Sequence, residues 1–388
     1  MLIALICLGS IGVLGMTWLF PCAGRLIWSW QRTRHAGTKR SDVAQQLKHT
    51  KQIAILIPVH NDGAALDSTL SSISRAVAQS ARVFPDTKII VRVGLDGCDD
   101  NTAHIAKTHN AEIFEYPVQR GKWLTLRSLL DVSHAADWIV FADCGVGWQE
   151  NFLTSAIPLC ADSEVMAVAP TYRNPSGGII ENLLWSFERH LKRLESASGG
   201  PVSAHGATIL YRHKELCTAL KALHADSWYN DDVVLPLILR TLNPTKRILY
   251  VSGLGVFDQA VPAQASVRVP REFNRRKRMV LGNIQWIQDL FPLALKGNLV
   301  AALLASRRIF RLFWAYWGLV LVAAVLFPLI ENGSSTVLVS VALFLVVVPC
   351  LFYCFISSVK QLADSAVASL LAPYYLCVTH SFEKASWK

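Results

Sequence analysis

Several groups of residues in this 388-residue chain have types and spacings that could do chemistry. Polar residues gather directly after apolar runs: Pro58-Val59-His60-Asn61 after one, Asp96-Gly97-Cys98-Asp99-Asp100 after the next, and Asp143-Cys144-Gly145 after a third. Gly121-Lys122 puts a cation at the start of a helical stretch, where a lysine and free backbone N–H groups both favour an anion. Asn230-Asp231-Asp232 sets two adjacent acids at the start of another helix. Trp228 and Tyr229 just before them offer flat faces on which a sugar could stack, although core packing is the commoner use of such rings. The basic run Arg271-Glu-Phe-Asn-Arg275-Arg276-Lys277-Arg278 has three readings. Nucleic acid is disfavoured, because no aromatic interleaving or recognition module accompanies the run. Contact with anionic lipid headgroups and a bidentate arginine clamp on a diphosphate are expected together, with Arg275 or Arg278 turned inward.

The elements that must position these residues follow from hydrophobic periodicity. Gln52 to Pro58, Lys88 to Leu95, Asp137 to Ala142 and Glu164 to Ala169 read as buried strands, and Ala64 to Gln79, Asn101 to Thr108, Lys122 to Ser133 and Glu150 to Cys160 carry helical spacing. Strands alternating with helices predict an α/β domain with a mainly parallel sheet, in which ligands bind beyond the carboxyl ends of strands. The polar residues above lie at those ends. Any one of them alone is as well explained by a turn or a helix cap, and Asp99, Asp100 or Asn101 is expected to cap the helix before Thr102.

Composition adds a second part to the architecture. Hydrophobic residues make up 52% and charged residues 17% of the chain, too apolar for an ordinary soluble multidomain protein, and the formal charge is +10. The excess lies in three uncharged stretches, Leu2 to Gly24, Leu312 to Ile330 and Asn332 to Val359, each long enough to span roughly 30 Å of hydrocarbon. The first lacks a signal-peptide cleavage pattern and is expected to remain as an anchor. Arg25, Arg32, Arg34, Lys39 and Arg40 follow the first stretch, and Lys296, Arg307, Arg308 and Arg311 precede the second, which by the positive-inside rule places the segment between them in the cytoplasm. A weaker apolar stretch, Leu362 to Val378, reads as an interfacial or re-entrant helix. The nine cysteines are scattered, form no CxxC pair, and fit a reducing compartment.

The ordered series of motifs resembles the membrane-bound members of family 2 glycosyltransferases, the hyaluronan, cellulose and poly-N-acetylglucosamine synthases among them. The resemblance covers about Gln52 to Ile287 and implies a Rossmann-like GT-A domain using a nucleotide-diphosphate sugar, with a UDP-sugar favoured. It implies that Pro58, His60 and Asn61 form the opening nucleotide turn, that Asp96-Gly97 accepts a hydrogen bond from the base, and that Lys122 with Arg275, Arg276 and Arg278 meets the diphosphate. Asp143 resembles the first acid of the family's Asp-x-Asp motif, which holds Mg²⁺ or Mn²⁺; Gly145 stands where the second acid would be. Asp232 matches the family's general base and Asp231 its acidic neighbour. His205, Gly206 and Trp228 are expected on the acceptor side, with a structural turn an equal reading for His205. The literal Gln-x-x-Arg-Trp motif is absent, and Gly282, Gln285 and Trp286 lie in its place.

The resulting expectation is an inverting transferase of the inner membrane: an anchor over 1–24, a basic linker over 25–50, a cytoplasmic catalytic domain over 51–268 and basic interface helices over 269–311. Membrane helices over 312–330 and 332–359 and a tail over 360–388 complete it. The acceptor would be a glycan or lipid-linked glycan in polysaccharide biosynthesis, with polysaccharide-export proteins as partners and no nucleic acid. Two alternatives stand beside it: transfer to a polyprenyl phosphate, and a weakly catalytic scaffold in a secretion complex.

Overall fold

The amino end forms two helices, α1 (Leu2–Met16) and α2 (Leu19–Arg34), bent by 55° at the intervening break. Three glycines of α1, Gly9, Gly12 and Gly15, are buried. A Cβ at these positions would collide with Leu321, Trp317 and Phe310 respectively, so their lack of a side chain is what lets a carboxyl-terminal helix lie against α1. The structure is a computed structural model and describes residues 2–34, 50–173, 179–224, 227–258 and 269–331, with 366–367, 369–371 and 373–374 beyond them.

A βα-alternating segment follows: β1 (Gln52–Val59), α3 (Gly63–Val83), β2 (Lys88–Asp96), α4 (Thr102–Thr108), β3 (Glu112–Tyr116), α5 (Lys122–Asp131) and β4 (Trp138–Ala142). The alternation of β1 explains its burial on both faces. Ala54 and Leu56 pack with Trp123, Leu126 and Leu129 of α5, while Ile53, Ile55, Ile57 and Val59 pack with Leu66, Leu70 and Ile73 of α3. Next come β5 (Val146–Trp148), α6 (Phe152–Cys160), β6 (Val165–Arg173), α7 (Ile179–Ser196), β7 (Thr208–Arg212), α8 (His213–Lys221), α9 (Asp231–Leu242) and β8 (Arg247–Asp258). The eight strands form one sheet in the order β3-β2-β1-β4-β7-β6-β8-β5. The expected parallel sheet is its first wing, β3 to β4; β7 then pairs antiparallel with both β4 and β6, so the whole sheet is mixed.

The chain closes the domain with α10 (Val269–Asp289), α11 (Phe291–Gly297), α12 (Leu299–Leu312) and α13 (Trp314–Glu331). Asn298 caps α12 by accepting from the Val300 and Ala301 N–H groups, and its amide donates to the Arg240 carbonyl at 2.6 Å, tying α12 to the end of α9. Between α7 and α12 lies a buried layer of charge. Arg307 Nε meets Glu195 at 2.7 Å with both side chains fully buried, Arg307 also reaches Glu188, and Arg311 pairs with Glu188 at 2.7 Å. Despite burial, the cations Arg311, Arg307, Lys192 and Arg308 hold the Glu188 carboxyl well below the usual range. Arg307 and Arg308 are therefore internal, not the surface charges that a membrane-flanking role presumes.

No single helix among the described residues is long and apolar enough to cross a membrane. The first expected span is the bent pair α1 and α2, the second coincides with α13, and the third, 332–359, lies outside the described residues. Most of 362–378 lies outside them as well.

The Arg307–Glu195 pair makes a definite stability prediction. Glu195→Ala leaves a guanidinium buried without its carboxylate and should destabilise the fold by about 3–5 kcal/mol. Thermal unfolding of the purified chain measures this as a clear drop in Tm, whereas the exposed pair Arg75–Glu150 can be broken by Glu150→Ala with little change.

Candidate active site

The candidate site residues gather beyond the carboxyl ends of β1, β2 and β4. The first wall of the site is a lattice of loop contacts. His60 Nδ1 is 2.7 Å from the Asp96 carbonyl, and Asn61 accepts from the Asp99 N–H at 2.9 Å through its side-chain oxygen, fastening the loop after β1 to the loop after β2. Asp100 Oδ1 accepts from the Thr102 N–H at 2.9 Å, the capping role expected there. Pro58 is buried within β1 and sets the level at which the loop leaves the sheet.

Asp96 is fully buried at the end of β2. Its two carboxylate oxygens accept from the backbone N–H groups of Arg120 and Gly121, at 2.8 and 2.7 Å. Gly97 follows in the left-handed region at φ 66°, and a Cβ there would stand 2.6 Å from the Gln119 nitrogen, so only glycine lets the 118–121 loop come this close. The acid at the end of β2 thus fixes where α5 begins, and Lys122 is the first residue of α5.

Lys122 is the junction of the site. Its Nζ lies 2.7 Å from Asp143 Oδ1, just past β4, and 3.0 Å from Asp231 Oδ2 at the start of α9. Burial works against the lysine's charge, but Asp143 and Asp231 outweigh it and hold the ammonium above its ordinary pKa. Asp143 is pushed up by burial and by Asp231, against the pull of Lys122 and Arg278. Asp232 is also pushed up by burial, with Asp231 adding to the effect and Arg308, Lys122 and Lys192 opposing it.

Gly206 lies at ordinary contact distance from these groups. A Cβ at Gly206 would lie 3.6 Å from Asp232 Cβ and 3.9 Å from both Asp143 Oδ2 and Lys122 Nζ. The Ala204-His205-Gly206-Ala207 loop is held there at both ends, since the Ala204 N–H donates to the Asp232 carbonyl at 2.8 Å and the Asp143 N–H to the Ala207 carbonyl at 2.9 Å. His205 stacks on Tyr172 at 3.6 Å between centroids, with Trp185 tilted against both rings. Trp228, expected to offer a stacking face, is instead 5% exposed in the core, where its ring packs among apolar residues.

Helix α10 covers the other side of the crevice. Asn230 donates to the Met279 carbonyl at 3.1 Å, and Gln285 donates to the Ser227 carbonyl at 2.8 Å. Gly282 faces the Asn230 side chain, where a Cβ would come within 2.6 Å of it. The charge of Arg278 is near enough to Asp143 to lower its pKa, while the side chains of Arg275 and Arg276 lie outside the described residues. Lys192, not singled out from sequence, and Arg308, read there only as a basic residue flanking an apolar stretch, stand behind Asp232: Lys192 Nζ donates to the Ser203 carbonyl and hydroxyl at 2.6 and 2.8 Å, and Arg308 to the same hydroxyl at 2.7 Å. Burial pulls Lys192 down to about 8, against Glu195 and Glu188. The available signal was the spacing of Glu188, Lys192 and Glu195 on one face of an amphipathic helix, facing arginines spaced one and four apart.

The residues present fit a divalent cation on restricted terms. Asp143 offers a hard oxygen ligand with a side chain about a third exposed, but no group of three or more His, Cys, Asp or Glu side chains converges among the described residues. Gly145 explains part of this. It sits at φ 91° and donates its N–H to Thr69 at 2.9 Å, a conformation that strains any L side chain, so the turn itself disfavours a second acid there.

No protein-family model and no curated protein matches the sequence. Among solved structures, a mannosyltransferase from Pyrobaculum calidifontis in complex with GDP-Man and Mn²⁺ aligns over 96% of this chain and 100% of its own, at a TM-score of 0.62 and 16% identity. The fold is GT-A. Two others align over less of the chain: glucosyl-3-phosphoglycerate synthase from Mycobacterium tuberculosis, over 63% of this chain and 83% of its own at a TM-score of 0.43 and 19% identity, and mannosyl-3-phosphoglycerate synthase from Rubrobacter xylanophilus, over 65% and 79% at 0.43 and 16%.

The raised pKa of Asp232 has a stability consequence with a definite sign. A carboxyl whose pKa is higher folded than unfolded binds its proton more readily in the folded state, so its contribution favours folding at acid pH and is lost as pH rises through the raised value. Asp232→Asn removes the buried charge. Its Tm should equal or exceed that of the parent near neutral pH, and the difference should shrink as pH falls toward the ordinary carboxylate range. Thermal unfolding across that pH range measures it.

Proposed function

We propose that this chain is a glycosyltransferase that moves a sugar from a nucleotide-diphosphate sugar to an acceptor hydroxyl with inversion. The observation that carries this reading is the gathering of Asp143, Lys122 and Asp232 around Gly206, at the strand ends of a GT-A fold. Asp232 takes the proton of the acceptor hydroxyl; the acceptor oxygen bonds to the anomeric carbon as the bond to the diphosphate breaks, and the nucleoside diphosphate leaves. The raised pKa of Asp232 makes it a stronger base than an exposed aspartate. Lys122 stands beside the developing negative charge, and Arg278 approaches from α10. Bound Mg²⁺ or Mn²⁺ would neutralise charge on the leaving diphosphate, with Asp143 as the protein ligand and the diphosphate oxygens completing the set.

The acceptor is a glycan or lipid-linked glycan at the membrane face. Support comes from the uncharged α1 and from α13, charged only at its last residue Glu331, packed together through glycines, and from the dominance of apolar residues in the sequence. A second reading has its own observation. Arg308 and Lys192 behind Asp232 would suit an acceptor phosphate, which needs no strong base, so transfer to a polyprenyl phosphate is retained beside hydroxyl transfer.

One set of assays separates them. Membrane-reconstituted protein is screened with nucleotide sugars, and the product linkage is read by NMR. Asp232→Asn should lower kcat for a hydroxyl acceptor by about 10²–10⁴-fold. A near parental rate with an inverted sugar-phosphate lipid product supports the second reading, and a retained configuration overturns both.

A further inference from the structure

Helix α7 carries two faces whose uses differ. Leu183, Leu184 and Phe187 are 65%, 59% and 42% exposed, a large apolar surface for consecutive turns of one helix. Phe187 meets Trp18 edge-on at 6.2 Å between centroids, so the patch runs on to the corner between α1 and α2, where Leu19 and the α1 residues Ile11 and Leu14 are also exposed. Farther along α7, the exposed residues are His190 and Arg193, with Arg189 half-buried. Glu188 and Glu195, the two acids of α7 whose side chains are described, both turn inward to Arg307 and its neighbours. The outward face therefore carries Leu183, Leu184 and Phe187 beside the small polar Asn182 and Ser186 at its start, and is basic at its end. That pattern is complementary to an anionic bilayer surface, with acyl chains for the leucines, headgroups for the arginines and the interfacial zone for Trp18.

The inward face of the same helix belongs to the crevice. Trp185 packs against Tyr172 and His205 beside Gly206, and Lys192 holds Ser203 at the base of the same loop. We propose that α7 lies in the surface of an anionic membrane through Leu183, Leu184, Phe187 and Arg193, so that the acceptor side of the crevice opens at the lipid plane. The inference rests on the membrane-face reading above and goes beyond it by naming the element that meets lipid and the class of lipid it meets.

The test places photoreactive benzoylphenylalanine at Leu183 or Phe187 of the full chain, reconstituted in nanodiscs of phosphatidylcholine and phosphatidylglycerol, and reads lipid adducts by mass spectrometry. Val83, exposed at the end of α3, and Ile6, exposed on α1, are the comparison positions. Adduct yields at 183 and 187 should exceed the yield at 83 by about tenfold. They should fall by about threefold when phosphatidylcholine replaces the anionic lipid. Lipid adducts at Ile6 without adducts at 183 and 187 overturn this proposal and leave the membrane reading standing. An absence of adducts at all of these positions overturns both, and adducts at 187 to protein alone overturn it in favour of a protein partner. Adducts at 183 and 187 in a chain that transfers no sugar support the docking surface and count against the reaction only.

Discussion

The ammonium of Lys122 is the point on which the site depends. It joins Asp143 at the end of β4 to Asp231 at the start of α9, two segments separated by most of the second half of the domain, and it is itself placed by Asp96 at the end of β2. Without that cation, Asp143, Asp231 and Asp232 would be three carboxylates crowded in a half-buried space, and their mutual repulsion would favour protonation or separation. With it, at least one carboxylate from each side of the crevice is neutralised in place. The bridge does not lower every acid of the site, since Asp143 and Asp232 keep raised pKa values against the pull of Lys122. One ammonium between two carboxylates does not cover a third, and burial is the largest influence on Asp143 and Asp232 alike.

Behind this first arrangement stands a second that carries opposite signs. Glu188 and Glu195 on α7 neutralise Arg307 and Arg311 on α12, leaving Lys192 and Arg308 to face Ser203 and Asp232. The layer has a positional effect apart from any contribution to stability. It holds the loop from Ser203 to Ala207 against α9, and that loop contains Gly206, around which Asp143, Lys122 and Asp232 gather. Buried ion pairs between well-packed helices seldom stabilise more than apolar residues of the same volume would, so a geometric role is the better physical reason for their presence.

The parts legible in the sequence were those with a local cause. Runs of β-branched residues ended at polar clusters, so β1, β2, β4 and β6 were recoverable, and so were the starts of α5 at Lys122 and α9 at Asp231. Long-range pairing had no such local sign. The insertion of β7 antiparallel between β4 and β6, which makes the sheet mixed, is fixed by contacts between segments far apart in the chain. Trp228 was misplaced for a related reason, since an aromatic residue beside an acidic helix start looks the same whether its ring faces a ligand or the core. The partners of the arginines before α13 were not legible, because sequence shows charge without its partner; Glu188 and Glu195 lie more than a hundred residues earlier.

The two charge layers also constrain how the chemistry can be divided. A base working on a hydroxyl benefits from a raised pKa, and cations nearby weaken it. Arg308, Lys122 and Lys192 all pull Asp232 down, so its pKa reflects a contest between burial and three positive groups. Burial wins, which favours a proton-accepting role over one of neutral support. The cations have separate work, because the species leaving the crevice carries more negative charge than the one entering the reaction, and a site able to hold both states must already contain the compensating charge. Lys122 lies within reach of Asp143, where that charge would develop, while Arg308 and Lys192 lie on the far side of Asp232. In the proposed reaction the donor side would set Lys122 and Arg278 against Asp143 and Asp231, and the acceptor side would hold a base whose strength is set mainly by burial.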